Sequence, residues 1–344
     1  MSELSRKSTN SRPAMRDVAL AAGVSVPAVS KVIRNAYGVS PAMRQKVEKA
    51  IAELNYRPSV SARAMRGQTF TIGFEIPQLG NDFFTQVMQG AVSALAGTPY
   101  QLIIVTGGND YSGEDVLNTL IDRQPDGIVA IAPNVDTDWL NSAAENIPLV
   151  ILGRHDASSK FDTVTNDDQL GAEFVMTHLI ELGHRDIVHL TVRHDIDAGL
   201  PISPHGIRES VYRARLQAMG IEPKVYVCDA FEPSAYEATR QILMQDPRPT
   251  AIFAGNDTLA IGALRAIGDF GLTANDISVV GYDDIYLAGN PYISLTTVNQ
   301  FGVRMGELAA RLLLERISGE RTKSQFEKIA PELVVRKSSA ENHS

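Results

Sequence analysis

The chain has 344 residues, of which 44% are hydrophobic, a single cysteine and a formal net charge of −8. This length fits two or three domains, and one cysteine excludes an internal disulfide and a cysteine metal cluster. No apolar run approaches the roughly 18 residues of a membrane helix, and the polar N-terminus lacks an apolar signal core, so we expect a cytoplasmic protein.

Charge is distributed unevenly along the chain. Residues 1–66 carry 12 Lys and Arg against 4 Asp and Glu, a net charge of +8, which leaves −16 for the remainder. A basic head on an acidic body is typical of a DNA-binding region joined to a regulatory region. Basic segments also arise on solvated surfaces, so charge alone does not decide between these readings.

The first sixty residues predict three short helices. The first, near residues 16–22, is stopped by Gly23; Ser25 caps a second helix that ends at Arg34, and Ser40 caps a third that ends near Leu54. A small residue at Ala19, a turn glycine at Gly23 and an apolar wedge at Val29 are what two crossed helices require. The pattern therefore favours a helix-turn-helix over a generic helical hairpin.

In such a unit the N-terminal side chains of the second helix meet base edges in the major groove. Val26 and Ala28 offer apolar contact to thymine methyls, and Lys31 suits a guanine edge or a phosphate. A solvated face is the alternative for any one basic side chain. The predicted DNA-contacting residues here are Ser25, Val26, Pro27, Ala28, Lys31 and Arg34.

A short basic segment follows the third helix. Residues 59–67 lie between Pro58 and Gly67 and form at most two helical turns, which are marginal in water. Such a helix can fold on DNA, with Arg63 and Arg66 neutralising phosphates and Met65 inserted between base steps. A plain linker explains the composition nearly as well.

Two strings of the head carry a family resemblance. DVALAAGVSVPAVSKVIRN and VSPAMRQKVEKAIAELNYRPSVSARAMRG resemble the head and hinge of the lactose repressor (LacI/GalR) family. The sequence departs from the family at Ala14, where a capping Thr or Ser is usual, and at Met65, where a leucine wedge is usual. The resemblance continues through the body and implies a periplasmic-binding-protein-like domain.

Short apolar runs alternate with helical patterns beyond Thr69. This alternation predicts parallel sheets wound with βαβ crossovers, and the length favours two α/β lobes. Strands are expected at about 71–76, 102–106, 127–132, 149–152, 187–191, 224–228, 251–254 and 278–281, and helices at about 83–96, 114–123, 168–182, 207–219, 234–245 and 257–269.

The predicted organisation is therefore an all-α helix-turn-helix head plus a two-lobed α/β domain with parallel sheets. Its parts are a disordered tail (1–12), the DNA-binding domain (13–58), the hinge (59–67) and the effector-binding and dimerisation domain (68–340). One lobe takes about 68–161 and 293–322, and the other about 162–292 and 323–340.

Polar and aromatic residues follow several predicted strands. Because ligands of such sheets bind beyond the carboxyl ends of the strands, Phe84, Arg154, Asn256 and Asp283 are candidates for an interlobe site. Aromatics beside Arg, Asn and Asp suit a sugar, whose hydroxyls both donate and accept. The same residues also serve as helix caps and core, which leaves both readings open for each.

The family resemblance adds residues to this site. VTNDDQLGAEFVMTHLIELGHRDIVHL, FAGNDTLAIGALRAIGDFGL and ISVVGYDDIYLAGNPYISLTTVNQ resemble the effector-domain segments of the family. Position by position, the resemblance implies effector contacts at Phe84, Arg154, Arg208, Asn256, Asp283 and Gln300. The long segment 193–207 departs from the family, so the effector cannot be carried over.

Other patterns predict structure rather than chemistry. His178, His184, His189 and His194 fall in different elements, and Cys228 lacks a base partner. No catalytic constellation, dinucleotide fingerprint or metal-ligand spacing emerges. We expect neither a cofactor, nor a metal, nor enzymatic activity.

These patterns predict a homodimeric transcription regulator that binds a near-palindromic double-stranded operator and a small-molecule effector, with sugar as the expected class. That the regulator is a repressor is implied by the family resemblance alone. One rival is a sugar-binding carrier without a regulatory role, and another is an α/β enzyme with a DNA-binding head. Turnover of a bound sugar distinguishes the enzyme, and sequence-specific DNA binding excludes the carrier.

Overall fold

A computed structural model describes residues 13–33, 36–57, 68–107, 112–192 and 203–343, which form two compact units dividing after Thr69. The predicted tail and hinge lie outside these residues, as do four of the predicted DNA contacts: Arg34, Arg63, Met65 and Arg66. None of the described helices is long and apolar enough to cross a membrane.

Within its described residues, the N-terminal unit contains three helices, α1 (Met15–Ala22), α2 (Val26–Ile33) and α3 (Pro41–Glu53). The packing of α1 against α2 confirms the helix-turn-helix that the spacing of Ala19, Gly23 and Val29 predicted. Ala19 and Val29 are buried, and Gly23 adopts a left-handed conformation (φ +65°) that closes α1. Ser25 begins α2, since its Oγ accepts a hydrogen bond from the Ala28 N–H at 3.3 Å.

The start of α1 is held without a capping side chain at Ala14. Instead, the Ala14 N–H donates to Oδ2 of Asp17 at 2.7 Å, so the carboxylate of the first turn reaches back to the end of the helix. A negative charge in this turn also favours the helix dipole. The family departure at Ala14 is therefore offset by its own neighbour.

The larger unit contains twelve strands and eight α-helices within the described residues. The strands are β1 (Thr71–Ile76), β2 (Gln101–Thr106), β3 (Gly127–Ile131), β4 (Leu149–Leu152), β5 (Asp162–Asn166), β6 (Ile187–Val192), β7 (Lys224–Cys228), β8 (Ala251–Ala254), β9 (Ser278–Val280), β10 (Thr297–Asn299), β11 (Phe326–Ile329) and β12 (Glu332–Val334). The helices are α4 (Asp82–Ala94), α5 (Gly113–Ile121), α6 (Thr137–Ala144), α7 (Asp168–Glu181), α8 (Pro204–Ala218), α9 (Glu232–Leu243), α10 (Asp257–Asp269) and α11 (Gly302–Ser318).

Two parallel sheets organise this unit, one in each lobe. The larger has the order β11-β5-β4-β3-β1-β2, and the smaller has the order β7-β6-β8-β9. A short antiparallel pair, β10 with β12, completes the set. The parallel two-lobed architecture predicted from the alternating pattern is confirmed.

The lobe boundaries differ from those read off the sequence. Residues 162–166 and 326–329 form strands of the larger sheet, although the sequence assigned both to the second lobe. The segment 297–299, assigned to the first lobe, pairs with β12 instead. These crossings between the lobes lie at the ends of strands. A crossing within a strand would leave buried backbone N–H and C=O groups without hydrogen-bond partners.

Helices α4 and α11 pack together unusually closely. A methyl group added at Gly306 would lie 1.8 Å from the carbonyl oxygen of Val87, and one added at Gly90 would lie 1.9 Å from that of Val303. Both helices rest on the larger sheet through buried residues such as Met305 and Val87. Glycine at these positions lets the two backbones touch.

This contact makes Gly306→Ala a strong test of the packing. We expect the variant to lower the free energy of unfolding by about 1–3 kcal/mol or more, because the added methyl forces two helix backbones apart. The matched control is Gly268→Ala on α10, where a methyl meets nothing within 4 Å and helix propensity predicts a gain of up to about 1 kcal/mol. Equal effects in urea denaturation would contradict the packing described.

Candidate functional site

A cavity of about 520 Å³ lies between the carboxyl ends of the strands of the two lobes. Loops after β1, β3 and β4 line it from one lobe, and residues after β6, β8 and β9 line it from the other. All six residues proposed as effector contacts line this one cavity: Phe84, Arg154, Arg208, Asn256, Asp283 and Gln300.

Phe84 provides an aromatic wall. It lies in the first turn of α4, where the Asn81 side chain accepts a hydrogen bond from the Phe83 N–H at 2.9 Å and fixes the start of the helix. The Phe84 ring meets the edge of Phe83 with centroids 6.1 Å apart. Such a half-buried ring suits the C–H face of a sugar or a flat ring.

Asn256 has a structural and a binding aspect at once. Its Oδ1 accepts the Leu259 N–H at 2.9 Å and caps α10, as the alternative reading of the sequence predicted. The side chain is buried and lines the cavity. Since capping uses only the oxygen, the amide N–H groups are left for a ligand.

Arg208 is buried in an ion pair. Its Nε and Nη2 contact Oδ1 of Asp168 at 2.8 and 2.6 Å, and its Nη1 donates to the Gly255 carbonyl at 2.7 Å. The guanidinium lies over the Tyr282 ring, 3.6 Å from the centroid. Burial alone would raise the pKa of Asp168, but Arg208 and then His155 outweigh it and hold that pKa below its usual value.

Asp283 is a buried acid of a different kind. Gln300 donates to its Oδ1 through a short hydrogen bond, and its backbone adopts φ 129°. Burial raises the pKa of Asp283 well above its ordinary value; Arg208 opposes this rise and the nearby Asp257 adds to it. Asp283 thus differs from Asp168, because burial outweighs Arg208 at Asp283 whereas Arg208 and His155 outweigh burial at Asp168.

Arg154 lines the cavity, but its donors are taken by the protein. Two go to Asp156, both at 2.9 Å, and one to Oγ1 of Thr137 at 2.9 Å. The remaining two reach the carbonyls of Pro133, at 3.0 Å, and Val135. With all five N–H groups used, Arg154 ties the loops after β3 and β4 together instead of offering a donor to a ligand.

This arrangement predicts that Arg154→Lys harms stability more than ligand binding. Lysine cannot reproduce the planar fork, so we expect a loss of about 2–3 kcal/mol in urea denaturation. Arg123→Lys, at an exposed site, is the control and should change stability by under about 0.5 kcal/mol. A fully stable Arg154→Lys that no longer binds effector would show instead that the guanidinium contacts the ligand.

Sequence reasoning missed two residues that shape the site. In the sequence, Asp168 looks like an ordinary acidic residue in the first turn of α7. Tyr282 looks like an ordinary aromatic residue that follows a strand. Only the pairing with Arg208, 40 positions away from Asp168, distinguishes them. Pairing across such a distance leaves no local signal in a single sequence.

His184, His189 and Cys228 occupy structural positions, whereas His194 lies outside the described residues. His184 hydrogen bonds to Thr250 and Ser278, both at 3.0 Å, and His189 to the Phe253 carbonyl at 2.9 Å. Burial raises the pKa of the Cys228 thiol to about 11, which disfavours a reactive thiolate. Among the described residues no group of three or more His, Cys, Asp or Glu is placed to hold a metal ion.

The exposed side of α2 carries the described part of the predicted DNA contacts. Ser25, Val26, Pro27 and Lys31 are exposed, and Ala28 is half-buried. On the opposite side, Val29 and Val32 are buried against the other two helices. The core of the unit thus leaves the N-terminal part of α2 open to a groove.

Comparison with known proteins agrees with both units. Residues 14–59 match the model described as bacterial regulatory proteins, lacI family, and residues 176–339 match a periplasmic binding protein-like domain. The HTH-type transcriptional repressor PurR of Vibrio atlanticus is 35% identical over 331 residues, covering 94% of this chain and 97% of the relative. The ribose operon repressor of Escherichia coli is 33% identical, covering 94% and 98%.

Solved structures show the same architecture. The lac repressor dimer bound to operator and the anti-inducer ONPF has a TM-score of 0.73 at 29% identity, covering 96% of this chain and 100% of that one. The transcriptional regulator CelR in complex with cellobiose has a TM-score of 0.68 at 30% identity, covering 95% and 100%. With full-length relatives above 30% identity and both family models matched in order, the chain belongs to the LacI family of bacterial regulatory proteins.

Proposed function

We propose that this chain is a cytoplasmic transcriptional repressor that binds a near-palindromic operator as a homodimer and responds to a sugar bound between its lobes. The observation that carries this proposal is a helix-turn-helix joined in one chain to a cavity lined by an aromatic ring, an amide and acid–base groups. Relatives named as repressors, and neighbours solved with cellobiose or ribose, support it.

The proposed coupling is an equilibrium between more open and more closed lobes. The Gln78 side chain, in the loop after β1, donates to the Ala230 carbonyl, after β7, at 2.9 Å, and both residues line the cavity. A ligand that contacts both lobes favours closure. It changes operator affinity only to the extent that it binds the two states unequally.

Two edge strands support the homodimer. Strand β2 ends the larger sheet and exposes Ile104, and β7 ends the smaller sheet and exposes Val227. Unpaired edges with apolar side chains favour association unless they are covered. A second copy is the proposed cover, in keeping with the dimeric lac repressor structure.

Selection of duplexes from a random library, with and without a sugar panel, tests the proposal. We expect a palindromic motif whose enrichment changes with one sugar. Salt-sensitive binding without a motif would reduce the head to a nonspecific electrostatic anchor. The same preparations report turnover of each sugar, which would support the rival enzyme.

Lys31 provides a sharper test of the head. Lys31→Ala should weaken operator binding at least about tenfold, through loss of a base or phosphate contact from α2. Lys49→Ala is the matched control on α3, where the lysine is exposed and pairs with Glu53 at 3.8 Å, and should change affinity less than about twofold. Equal effects would show that only net charge matters.

A further inference from the structure

The two permanently charged cations among the described cavity residues are Arg154 and Arg208, and each is paired within the protein. Arg154 is held by Asp156, with side chains 5% and 12% exposed. Arg208 is held by Asp168, with side chains 3% and 1% exposed. Neither guanidinium presents an uncompensated charge to a ligand.

Asp168 is also fixed from its other side. Its Oδ2 lies 2.8 Å from Nε2 of His155, which is itself 3.1 Å from Oγ1 of Thr165. Because one oxygen contacts Arg208 and the other contacts His155, the carboxylate is held in place. An anionic ligand could take over Arg208 only by leaving Asp168 buried without its strongest partner, which is costly.

We propose that Asp168 is a specificity-determining residue that restricts this cavity to uncharged ligands and excludes phosphorylated or carboxylate-bearing ones. The inference rests on the proposed function and narrows its ligand class. An uncharged polyol loses nothing from the pairing: the Arg208 N–H groups not used by Asp168 and Gly255 remain for its hydroxyls, as do the groups of Asn256 and Asp283. Among the described cavity residues, a phosphate finds no arginine or lysine that is not already paired, and it finds the buried carboxylate of Asp168.

The decisive variant is Asp168→Asn, which keeps the shape and releases the charge of Arg208. We expect its affinity for inorganic phosphate, measured by thermal shift at constant ionic strength, to rise at least about tenfold over wild type. Glu173→Gln is the control: it removes a negative charge from the same helix, where Glu173 is partly exposed and pairs with Arg215. It should show no gain.

The double variant Asp168→Asn/Arg208→Gln removes both charges and should lose the gain again. A folded Asp168→Asn without increased phosphate affinity would overturn the inference, and so would an equal gain in Glu173→Gln. The latter result would mean that overall charge, not the cavity, governs anion binding.

Wild type decides the matter if Asp168→Asn does not fold. Ribose and ribose 5-phosphate, glucose and glucose 6-phosphate, and gluconate are compared as matched probes. Binding in the cavity is recognised as a thermal shift that Phe84→Ala abolishes. The inference is supported if none of the anionic probes shows such a shift, and it is overturned if one of them does. If such an anion also changes operator binding, the ligand class is wrong while the proposed repressor stands; if no small molecule changes operator binding, the proposed function fails instead.

Discussion

Phe84→Ala is expected to weaken effector binding about 10- to 100-fold while effector-free operator binding stays unchanged. The ring lines the cavity and is only half-buried by the protein itself, so a ligand completes its burial. Losing that surface costs about 1.5–3 kcal/mol, which corresponds to this range of affinity. Calorimetric titration with the sugar identified by selection, together with operator titration by fluorescence anisotropy, measures both quantities.

Leu79→Ala is the matched control for this variant. Leu79 lies in the loop between β1 and α4, five residues before Phe84, is 68% exposed and does not line the cavity. Truncating the Leu79 side chain should leave the effector affinity within about twofold of the wild-type value. If Phe84→Ala retained full effector affinity, or lost operator binding in the absence of effector, the cavity would not be the separate sensing site described above.

Glu75→Gln is expected to remove the part of the stability loss between acid and alkaline pH that the Glu75 carboxyl contributes in the wild type. Glu75 lies in β1, is 5% exposed and accepts the Ile131 N–H at 3.0 Å. Burial raises its pKa from 4.5 to about 8, against a smaller lowering by the Ile131 hydrogen bond. Its native carboxyl therefore keeps a proton that the unfolded chain releases near pH 4.5.

The sign of the pH dependence follows from this difference. Because the native state binds the proton more tightly, the contribution of Glu75 to stability is fully present below about pH 4.5 and is lost as pH rises towards 8. The total loss from this group is roughly 5 kcal/mol. Urea denaturation at pH 5 and pH 9 should show a loss of stability that is smaller in Glu75→Gln than in wild type by roughly 4 kcal/mol, and unchanged in the exposed control Glu320→Gln. Parallel pH profiles for wild type and Glu75→Gln would contradict this account.

The sequence predicted the parts of the fold that have a local period. Buried, β-branched runs revealed eight strands, and the small, flexible and apolar positions Ala19, Gly23 and Val29 revealed the crossed helices. The strands β5, β10, β11 and β12 were missed: β5, at Asp162–Asn166, reads as a polar segment, and the other three have three or four residues each. Helices α6 and α11 were missed as well. The packing of α11 depends on Gly306 meeting Val87 and on Gly90 meeting Val303, which are contacts with a distant helix.

The site was predictable in position but not in chemistry. Strand ends placed Phe84, Asn256 and Asp283 at one cleft, because carboxyl ends of parallel strands gather there. The charge state of the cleft depends on Asp168 with Arg208 and on burial of Asp283, which are properties of the folded chain. No single-sequence pattern reports them.

Reciprocal coupling between the operator and the cavity tests the central claim most directly. Operator affinity is measured with and without saturating sugar, and sugar affinity with and without saturating operator, on the same protein preparation. We expect the two ratios to agree within error, at about 5- to 150-fold. A sugar that binds the cavity, is lost on Phe84→Ala, and yet leaves operator affinity unchanged would contradict regulation through this site.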